Sequence, residues 1–439
     1  MIVHDDERSR VVHATSAPMT ARGSHRRTPD GIERIVLIVQ STSLGGMETH
    51  CVDLAAELLR RRLSVMGIIP EAAAHDELAE RFLAVGAQVR RLDTDARRGR
   101  VAQARNWLRL AGILLRWRPH VVHLHTGGAT GGLGAMLAAR LLTIRAAVVT
   151  EHDVPTEAPG HRQRASRIVM DHCADAIVAV SRRNARVRIE RIPPPRGRIV
   201  AILNGAPTVD VSPETRLQNR QRLRAQLNVG QDDLVIGSLV RLADGKGLHD
   251  LVRAFALARR GGGTTLVLVG DGPLRSELGA LADELGIGAN VRFAGHQVKA
   301  APFLDAMDVF ALAVPVGSMS MALLEAMARG LPSVITYCGP EEPVINNQTG
   351  LCAPPSDHAG LARVLARICD DPDLRARLGR AAAAHVTVHF SVGRVADDML
   401  ELYSVCRSGL LPPRLLADRQ PVAAPRGLPE PREPAGELR

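Results

Sequence analysis

The sequence predicts an α/β protein with two parallel, doubly wound sheets that face a common cleft. Short apolar runs alternate with longer stretches whose apolar residues recur three and four positions apart, as the strands and helices of such sheets require. The alternation stops at a triple proline, Pro193 to Pro195, and a polar segment, and then begins again. The length of 439 residues suits two or three domains of ordinary size.

The first series of elements predicts a domain at residues 32–207. A linker is predicted at 208–232, a second domain at 233–390, and a final helix at 391–408 that packs back toward the first domain. Ligands of doubly wound sheets bind beyond the carboxyl ends of the strands, so the cleft between the domains is the predicted site. Strands are expected at 35–39, 121–124, 148–150, 177–180, 234–239, 265–269, 291–293, 309–312 and 333–336, and helices at 47–62 and 107–117.

Both ends of the chain lack a periodic apolar pattern. Residues 1–31 are polar and charged, and residues 409–439 are rich in proline and arginine, so both are predicted to be disordered. There is no secretory signal and no run of about 18 apolar residues, so a cytoplasmic location is expected. Six scattered cysteines show no paired metal spacing, and reduced thiols are the expectation.

The net charge of +10 raises the question of nucleic-acid binding. Aromatic residues make up only 2% of the chain, too few for base stacking, and the positive charges are spread as single arginines. No nucleic-acid partner is therefore expected. Only Lys246 and Lys299 are lysines among 56 Lys and Arg residues, which makes Lys246 informative because a compact ammonium and a planar guanidinium are not interchangeable.

Two cations follow the first strand of the second series. Arg241 and Lys246 are separated by a glycine turn that leads into a helix. The two charges can converge on one diphosphate, and the helix N-terminus adds partial positive charge. A helix-start turn with solvated cations has the same pattern, so this stretch alone leaves both interpretations open.

The next strand ends in another glycine turn. Gly270 and Gly272 allow a ligand to approach the backbone closely, and Pro273 suits the first turn of the helix that follows. An ordinary strand-to-helix turn would have the same composition. The turn therefore favours a ligand site only in combination with the other motifs.

A third loop opens a helix near residue 320. Met319, Ser320 and Met321 lead into it, and the first amides of a helix are free to bind an anion. Glu325 follows one turn later, where it can accept hydrogen bonds from sugar hydroxyls. Most glutamates on helices are solvated, but the neighbours of Glu325 are apolar, which argues against free exposure.

Taken in order, these segments resemble the family 4 retaining glycosyltransferases, the group 1 enzymes with the GT-B fold of two Rossmann-like domains. The resemblance runs from about residue 35 to residue 403. Each motif is weak alone, but the ordered series is specific. The matching segments are 45–50, 121–125, 150–153, 174–181 and 203–205 in the first half, and 241–247, 270–273, 324–330 and 349–350 in the second.

The resemblance implies a hexosyltransferase that uses a UDP- or GDP-linked donor and needs no metal or other cofactor. Its acceptor would be a glycan, a lipid-linked sugar or a small molecule, as in polysaccharide biosynthesis. Two cations and a helix dipole on the diphosphate would offset the charge of the leaving group. The implied roles are Arg241 and Lys246 on the diphosphate, Glu325 on the ribose, His152 beside the transferred sugar, and Gly45, Gly46, Gly270, Gly272, Met319, Ser320 and Met321 in donor binding.

One position departs from the family pattern. Relatives have a glutamate eight residues before Glu325 that holds hydroxyls of the donor hexose, whereas this chain has Gly317. A GT-B scaffold that binds nucleotide sugar without transferring it is therefore an alternative. Asp93 and Asp95 match the Asp-x-Asp of metal-dependent transferases superficially, but they stand among arginines and are interpreted as a surface turn.

Two other interpretations concern the first half. A strand at 121–125, a glycine-rich run at 127–134 and Glu151 form a dinucleotide-binding fingerprint, although a complete strand–glycine–helix unit already precedes it. The basic stretch from Arg182 to Arg198 fits either a solvated helix, which we favour, or a surface that rests on anionic lipid at the inner face of a membrane.

Overall fold

A computed structural model gives the fold, and it describes most of the chain between residues 31 and 410. The described residues are 31–41, 45–92, 100–127, 132–153, 160–195, 197–207, 209, 211–259, 263–314, 319–336 and 343–410.

The first domain alternates strands and helices along the chain. Its strands are almost wholly buried, which explains why their sequences are runs of Val, Ile and Leu without polar alternation. The elements are β1 (Arg34–Gln40), α1 (Gly46–Arg60), β2 (Ser64–Pro70), α2 (Asp76–Ala84), β3 (Gln88–Leu92), α3 (Arg100–Trp117), β4 (Val121–Thr126), α4 (Leu133–Leu141), β5 (Ala147–Glu151), α5 (His161–Cys173), β6 (Ala176–Ala179), α6 (Arg182–Arg191) and β7 (Ile199–Ala201).

The second domain repeats this alternation on a smaller scale. Its helices begin with recognisable caps: Ser320 and Asp371, for example, each accept a backbone N–H three residues on. The elements are α7 (Pro213–Gln226), β8 (Leu234–Leu239), α8 (Leu248–Ala258), β9 (Thr264–Val269), α9 (Arg275–Glu284), β10 (Val291–Gly295), β11 (Val309–Leu312), α10 (Met321–Ala328), β12 (Ser333–Ile335), β13 (Gly350–Cys352), α11 (His358–Asp370), α12 (Pro372–His389) and α13 (Val392–Arg407).

Both sheets are parallel and have the same strand order. In the described residues the first has seven strands in the order β3-β2-β1-β4-β5-β6-β7, and the second has six in the order β10-β9-β8-β11-β12-β13. The order reverses direction between β1 and β4 and between β8 and β11, so each sheet opens a crevice there at its carboxyl edge. The predicted pair of doubly wound sheets is confirmed.

The segment predicted as a linker, 208–232, is not an extended connection. It contains α7, whose Leu223 is buried in the core of the second domain. Arg224 on the same helix is also fully buried and donates to Asp308 at 2.7 Å. The polar composition misled the prediction because this helix is held by buried ion pairs as much as by an apolar face.

The last helix, α13, crosses back to the first domain. Met399, Leu402 and Tyr403 lie in the core beneath β1 and α1. Arg61 at the end of α1 donates to Asp397 at 2.6 Å and to the carbonyl of Gly393 at 2.7 Å, which fixes the start of α13.

The cysteine prediction was wrong at one position. Cys352, at the end of β13, is disulfide-bonded, whereas Cys51, Cys173 and Cys406 carry free thiols. Among the described helices, none combines the length and the apolar character needed to cross a bilayer.

Candidate active site

The two halves of the candidate site meet where the strand ends of both domains face each other. Asn204, just after β7, donates to the carbonyl of Met319 in the second domain at 3.1 Å. Gly46 at the start of α1 lies against Met321 at the start of α10, and a Cβ on Gly46 would stand 3.4 Å from the Met321 Cγ. The starts of α1 and α10 are therefore in direct contact, close enough that even a Cβ at position 46 would touch the Met321 side chain.

Glycine turns shape the second-domain wall of the site. Gly247 has φ +66° and caps α8, and a Cβ there would lie 1.7 Å from the carbonyl oxygen of Ala313. Gly270 has φ +138° and Gly272 approaches the carbonyl of Leu242, where a Cβ would stand at 2.3 Å. Any other residue at these positions would displace the backbone that follows β8.

Arg241 and Lys246 lie on this wall. Arg241 is exposed and Lys246 is half-buried, and both follow β8 ahead of the first turn of α8. Partial desolvation raises the pKa of Asp153 in the first domain, and the charge of Lys246 acts in the opposite direction, so the two groups interact across the domains. Asp153 directly follows His152, the predicted sugar-side histidine.

The loop before α10 is held by its own cap and by the first domain. The Ser320 hydroxyl accepts the N–H of Leu323 at 3.3 Å, and Met319 and Met321 are buried. The amides of Met321 and Ala322 stand in the first turn, where a helix supplies no partner for them. An anion placed there would meet two N–H donors and the positive end of the helix.

Glu325 points into the interface between the domains and is half-buried there. Burial raises its pKa, while Arg329 and Arg81 of the first domain act to lower it. Across the interface stands Asp53 on α1, whose pKa is raised to about 7 by burial and then by the charge of Glu325. Burial and the charge of Glu325 thus both oppose the ionisation of Asp53.

Four histidines form the first-domain wall. His50 stands one turn into α1, His123 and His125 lie on β4, and His152 follows β5; all are buried. The rings of His50 and His152 are 5.0 Å apart and those of His123 and His125 are 4.0 Å apart. The strand order places β4 beside β5, so the two strand ends bring these rings together.

Hydrogen bonds fix this histidine cluster (His50, His123, His125 and His152) from behind. His123 bonds the Tyr403 hydroxyl of α13 at 2.6 Å and the Thr150 hydroxyl at 2.7 Å. His125 Nδ1 lies 3.2 Å from His152 Nε2, so one ring donates a proton to the other. The crossing of α13 over the first domain therefore positions part of the cluster.

Burial keeps the cluster uncharged. Desolvation lowers the pKa of His50 to about 4 and that of His123 to about 3, and it lowers the pKa values of His125 and His152 well below the ordinary histidine value. At neutral pH the first-domain wall therefore presents polar, uncharged imidazoles. The second-domain wall, in contrast, carries the positive charges of Arg241 and Lys246.

The structure brings most of the predicted site residues to one cleft. Gly45, Gly46, His152, Lys246, Met321 and Glu325 line or border it, and Arg241, Gly270, Gly272, Met319 and Ser320 belong to the loops of its second-domain wall. Gly317, Asp93 and Asp95 lie outside the described residues. The sequence predictions assigned no role to His50, His125, Asp53 or Arg81, which lie at this interface. The available signal was that His125 stands near the end of β4 and that His50 and Asp53 lie on α1, which starts beside the cleft.

The structure bears on two interpretations of the first half. Glu151 does not face a ligand: it is buried and is paired with Arg167 and, at 3.1 Å, with Arg188, which removes the acid of the dinucleotide fingerprint. The basic stretch is also not one continuous surface, because Arg188 is buried and Arg198 donates to three backbone carbonyls.

Family models match both halves of the chain. Residues 44–209 match the model "Glycosyltransferase Family 4", and residues 219–385 match "Glycosyl transferases group 1". The chain belongs to the family 4, group 1 glycosyltransferases. The predicted resemblance is therefore confirmed.

Curated relatives of this glycosyltransferase-family chain include the lipopolysaccharide core biosynthesis glycosyltransferase LpsE of Rhizobium meliloti, 36% identical over 180 residues that cover 41% of the chain and 52% of LpsE. The chain spans about half the length of this relative. A D-inositol 3-phosphate glycosyltransferase of Streptomyces avermitilis is 27% identical over 78% of the chain and 79% of the relative.

Solved structures share the GT-B fold. Anabaena HepE in complex with UDP has a TM-score of 0.70 at 21% identity, covering 84% of this chain and 99% of HepE. WaaG, a glycosyltransferase involved in lipopolysaccharide biosynthesis, has a TM-score of 0.60 at 15% identity, covering 84% of this chain and 99% of WaaG. The two Rossmann-like domains described above are thus a GT-B fold.

Proposed function

We propose that this protein transfers a hexosyl group from a UDP- or GDP-linked sugar to a glycan, lipid-linked or small-molecule acceptor, with retention of anomeric configuration. The observation that carries the proposal is the meeting of the two strand-end edges, where Asn204 donates to the carbonyl of Met319 across the domains and Gly46 lies against Met321. Family membership supports it, as do the relatives named for lipopolysaccharide core biosynthesis and the neighbour bound to UDP.

The second-domain wall suits a nucleoside diphosphate. Arg241 and Lys246 supply two positive charges, and the first amides of α10 supply N–H donors. Glu325, one turn into α10, is placed to accept hydrogen bonds from the ribose hydroxyls. These groups stabilise the charge that develops on the diphosphate as it leaves.

The transfer step follows from this placement. The bond between the anomeric carbon and the diphosphate oxygen breaks, and the acceptor hydroxyl oxygen bonds to that carbon on the same face. The acceptor's proton goes to the departing diphosphate, whose negative charge Arg241 and Lys246 offset. His152 orients the sugar as a neutral hydrogen-bonding group and forms no bond to it. Proton NMR of the first product should show the donor's anomeric configuration, and an inverted centre would refute this step.

We propose that transfer needs no metal ion, because the two cations and the helix N-terminus already offset the charge of the leaving group. Activity should therefore survive EDTA. A complete loss that Mn²⁺ or Mg²⁺ restores would assign the diphosphate to a metal, with Asp93 and Asp95 as the first residues to test.

The position of Gly317 bears on donor choice. Without a carboxylate to hold the hexose hydroxyls, the pocket should discriminate poorly among hexoses or prefer an altered substituent. Gly317→Glu should change the ranking of donor sugars while affinity for the bare nucleotide stays nearly constant. An unchanged ranking would remove position 317 from the sugar pocket.

Peripheral membrane contact is a second proposal, for a lipid-linked acceptor. On α5, Ile168 and Val169 are exposed beside Arg162 and Arg164, and on α6 Ile189 is exposed. Apolar side chains among arginines suit a surface that rests on anionic lipid. Co-sedimentation with vesicles containing phosphatidylglycerol should exceed that with neutral vesicles, and Ile168→Ser with Val169→Ser should remove the difference.

The central experiment is a donor screen across UDP-, GDP- and ADP-linked sugars. We expect one UDP- or GDP-linked sugar to raise the melting temperature and to give nucleotide release that depends on an added acceptor. Stabilisation without any release across a range of acceptors would favour the alternative of a nucleotide-sugar-binding scaffold. No stabilisation by any of these donors would overturn the proposal.

A further inference from the structure

Three histidines of the first-domain wall converge on one point. His50, His125 and His152 each offer a ring nitrogen, and these three nitrogens lie within 4.8 Å of one another. The rings come from α1, from β4 and from the turn after β5, which are rigid parts of the first domain. The convergence is thus a property of the sheet and not of a single loop.

The spacing of two of these nitrogens matches metal ligation. His125 Nδ1 and His152 Nε2 are 3.2 Å apart. Two imidazole nitrogens bound to one tetrahedral zinc ion, each at about 2.0–2.1 Å, stand about 3.4 Å from each other. A metal ion could therefore replace the shared proton with little movement of either ring.

The cluster also contains polar atoms whose hydrogen bonds are not satisfied. In the described part of the chain, His50 Nε2 and His125 Nε2 are buried without a hydrogen-bond partner. Buried polar atoms nearly always have a hydrogen-bond partner, so two buried nitrogens without one in the same cluster indicate that a ligand binds there. A metal ion at the centre would bind the His50 nitrogen and thus satisfy one of them.

We propose that His50, His125 and His152 form a binding site for a divalent transition-metal ion of the zinc class. Three imidazoles without a carboxylate or thiolate suit Zn²⁺ or Co²⁺ and do not suit Mg²⁺ or Ca²⁺. Three protein ligands leave the fourth tetrahedral position to water.

The site has a consequence for transfer that rests on the proposed function. A metal-bound His152 cannot orient the sugar, so occupancy by Zn²⁺ should inhibit transfer, whereas the catalytic step itself uses no metal. Metal binding does not depend on this consequence. If Zn²⁺ binds but saturating Zn²⁺ leaves transfer unchanged, the role proposed for His152 is wrong and the metal site stands.

The test is metal binding by the full, untagged chain in the absence of any donor. Titration of the metal-free protein with Co²⁺ should give tetrahedral visible absorption bands that reach an end point at one ion per chain, and Zn²⁺ should abolish them. X-ray absorption of the zinc-loaded wild type should show three imidazole nitrogens at about 2.0–2.1 Å. No cobalt bands, or fewer than three imidazoles, would overturn the proposal.

Matched variants assign the ligands. His50→Gln should weaken Co²⁺ binding by at least about 10- to 100-fold, since loss of outer-shell partners alone has that effect. His172→Gln is the control, because His172 is exposed on α5 and bonds the carbonyl of Ile168 in its own helix. Circular dichroism confirms that each variant folds. Equal binding by His50→Gln and wild type would overturn the site, and the absorption spectrum of the wild type decides the matter if His50→Gln does not fold.

Discussion

The two walls of the cleft differ in charge, burial and origin. The second-domain wall carries Arg241 and Lys246 at accessible positions, together with the N-terminus of α10. The first-domain wall presents buried histidines whose pKa values are lowered by desolvation. One wall therefore suits an anion, and the other suits an uncharged, hydroxyl-rich group.

Under the proposed function, this contrast would divide the work of a glycosyl transfer between the domains. The cationic wall would bind the part of the donor that leaves with negative charge, and the neutral imidazole wall would hold the sugar without attracting the diphosphate. If the division is correct, a substitution on one wall should change nucleotide affinity and a substitution on the other should change turnover.

His152→Ala should have the largest effect on turnover. Loss of a group that positions the sugar should lower kcat by about 100-fold or more, in the range found for positioned hydrogen-bond donors in active sites. Steady-state nucleotide release measures this effect, with His172→Ala as the control that should match wild type. If His152→Ala keeps the wild-type kcat, the first-domain wall does not touch the sugar.

Glu325→Gln should affect nucleotide affinity instead. A hydrogen bond to a charged group contributes about 1.5 kcal/mol or more, so the Kd of the bare nucleoside diphosphate should rise about tenfold. Competition against a fluorescent nucleotide measures this Kd. Wild type should bind the 2′-deoxynucleotide more weakly than the ribonucleotide, whereas Glu325→Gln should bind the two equally well. Any other pattern would show that Glu325 does not contact the ribose.

The buried histidines should make folding sensitive to acid. His50 has a folded pKa of about 4, below its ordinary value of 6.5, so the unfolded state binds more protons between these values. The free energy of unfolding should therefore fall as the pH drops from about 6.5 toward 4. Urea unfolding at several pH values measures the slope, and His50→Gln should flatten it. A slope that His50→Gln leaves unchanged would contradict the burial of a neutral ring.

Asp53 should give the free energy of unfolding a pH dependence of the opposite sign. Its pKa is raised from 3.8 to about 7, so the folded state binds more protons between these values, and the contribution to stability is lost as the pH rises through about 7. Asp53→Asn should therefore unfold at higher urea than wild type at pH 8, with a smaller difference at pH 4. Equal differences at both pH values would show that Asp53 does not compete with Glu325 for a charge.

The first and last residues of the buried strands were the feature of the fold that the sequence predicted best. Residues 234–239 and 309–312 were predicted with the bounds that β8 and β11 have, because buried parallel strands are continuous apolar runs. β3 was missed because Arg90 and Arg91 interrupt its apolar pattern at the sheet edge, and β13 because it has only three residues. The helix α7 was missed because Arg224 is buried through an ion pair that no periodicity reveals.

The second-domain wall was more predictable than the first. Arg241, Lys246 and Glu325 stand in short local motifs, where a strand, a turn and a helix start are contiguous in sequence. The histidine cluster joins α1, β4 and β5, and Tyr403 reaches it from nearly 280 residues away. Such a site depends on strand order, which spacing along the chain does not encode.

The most direct test of the two-wall account is calorimetric titration of UDP and GDP into four proteins: wild type, Lys246→Ala, Lys299→Ala and His152→Ala. Lys246→Ala leaves part of the diphosphate charge unpaired, and a charge-assisted hydrogen bond contributes roughly 1.5–3 kcal/mol, so Kd should rise about 10- to 150-fold for the nucleotide that wild type binds. Lys299→Ala, the change of the other lysine, and His152→Ala should bind as wild type does. The account would be contradicted if Lys246→Ala bound the nucleotide as tightly as wild type does. It would also be contradicted if His152→Ala lost as much nucleotide affinity as Lys246→Ala.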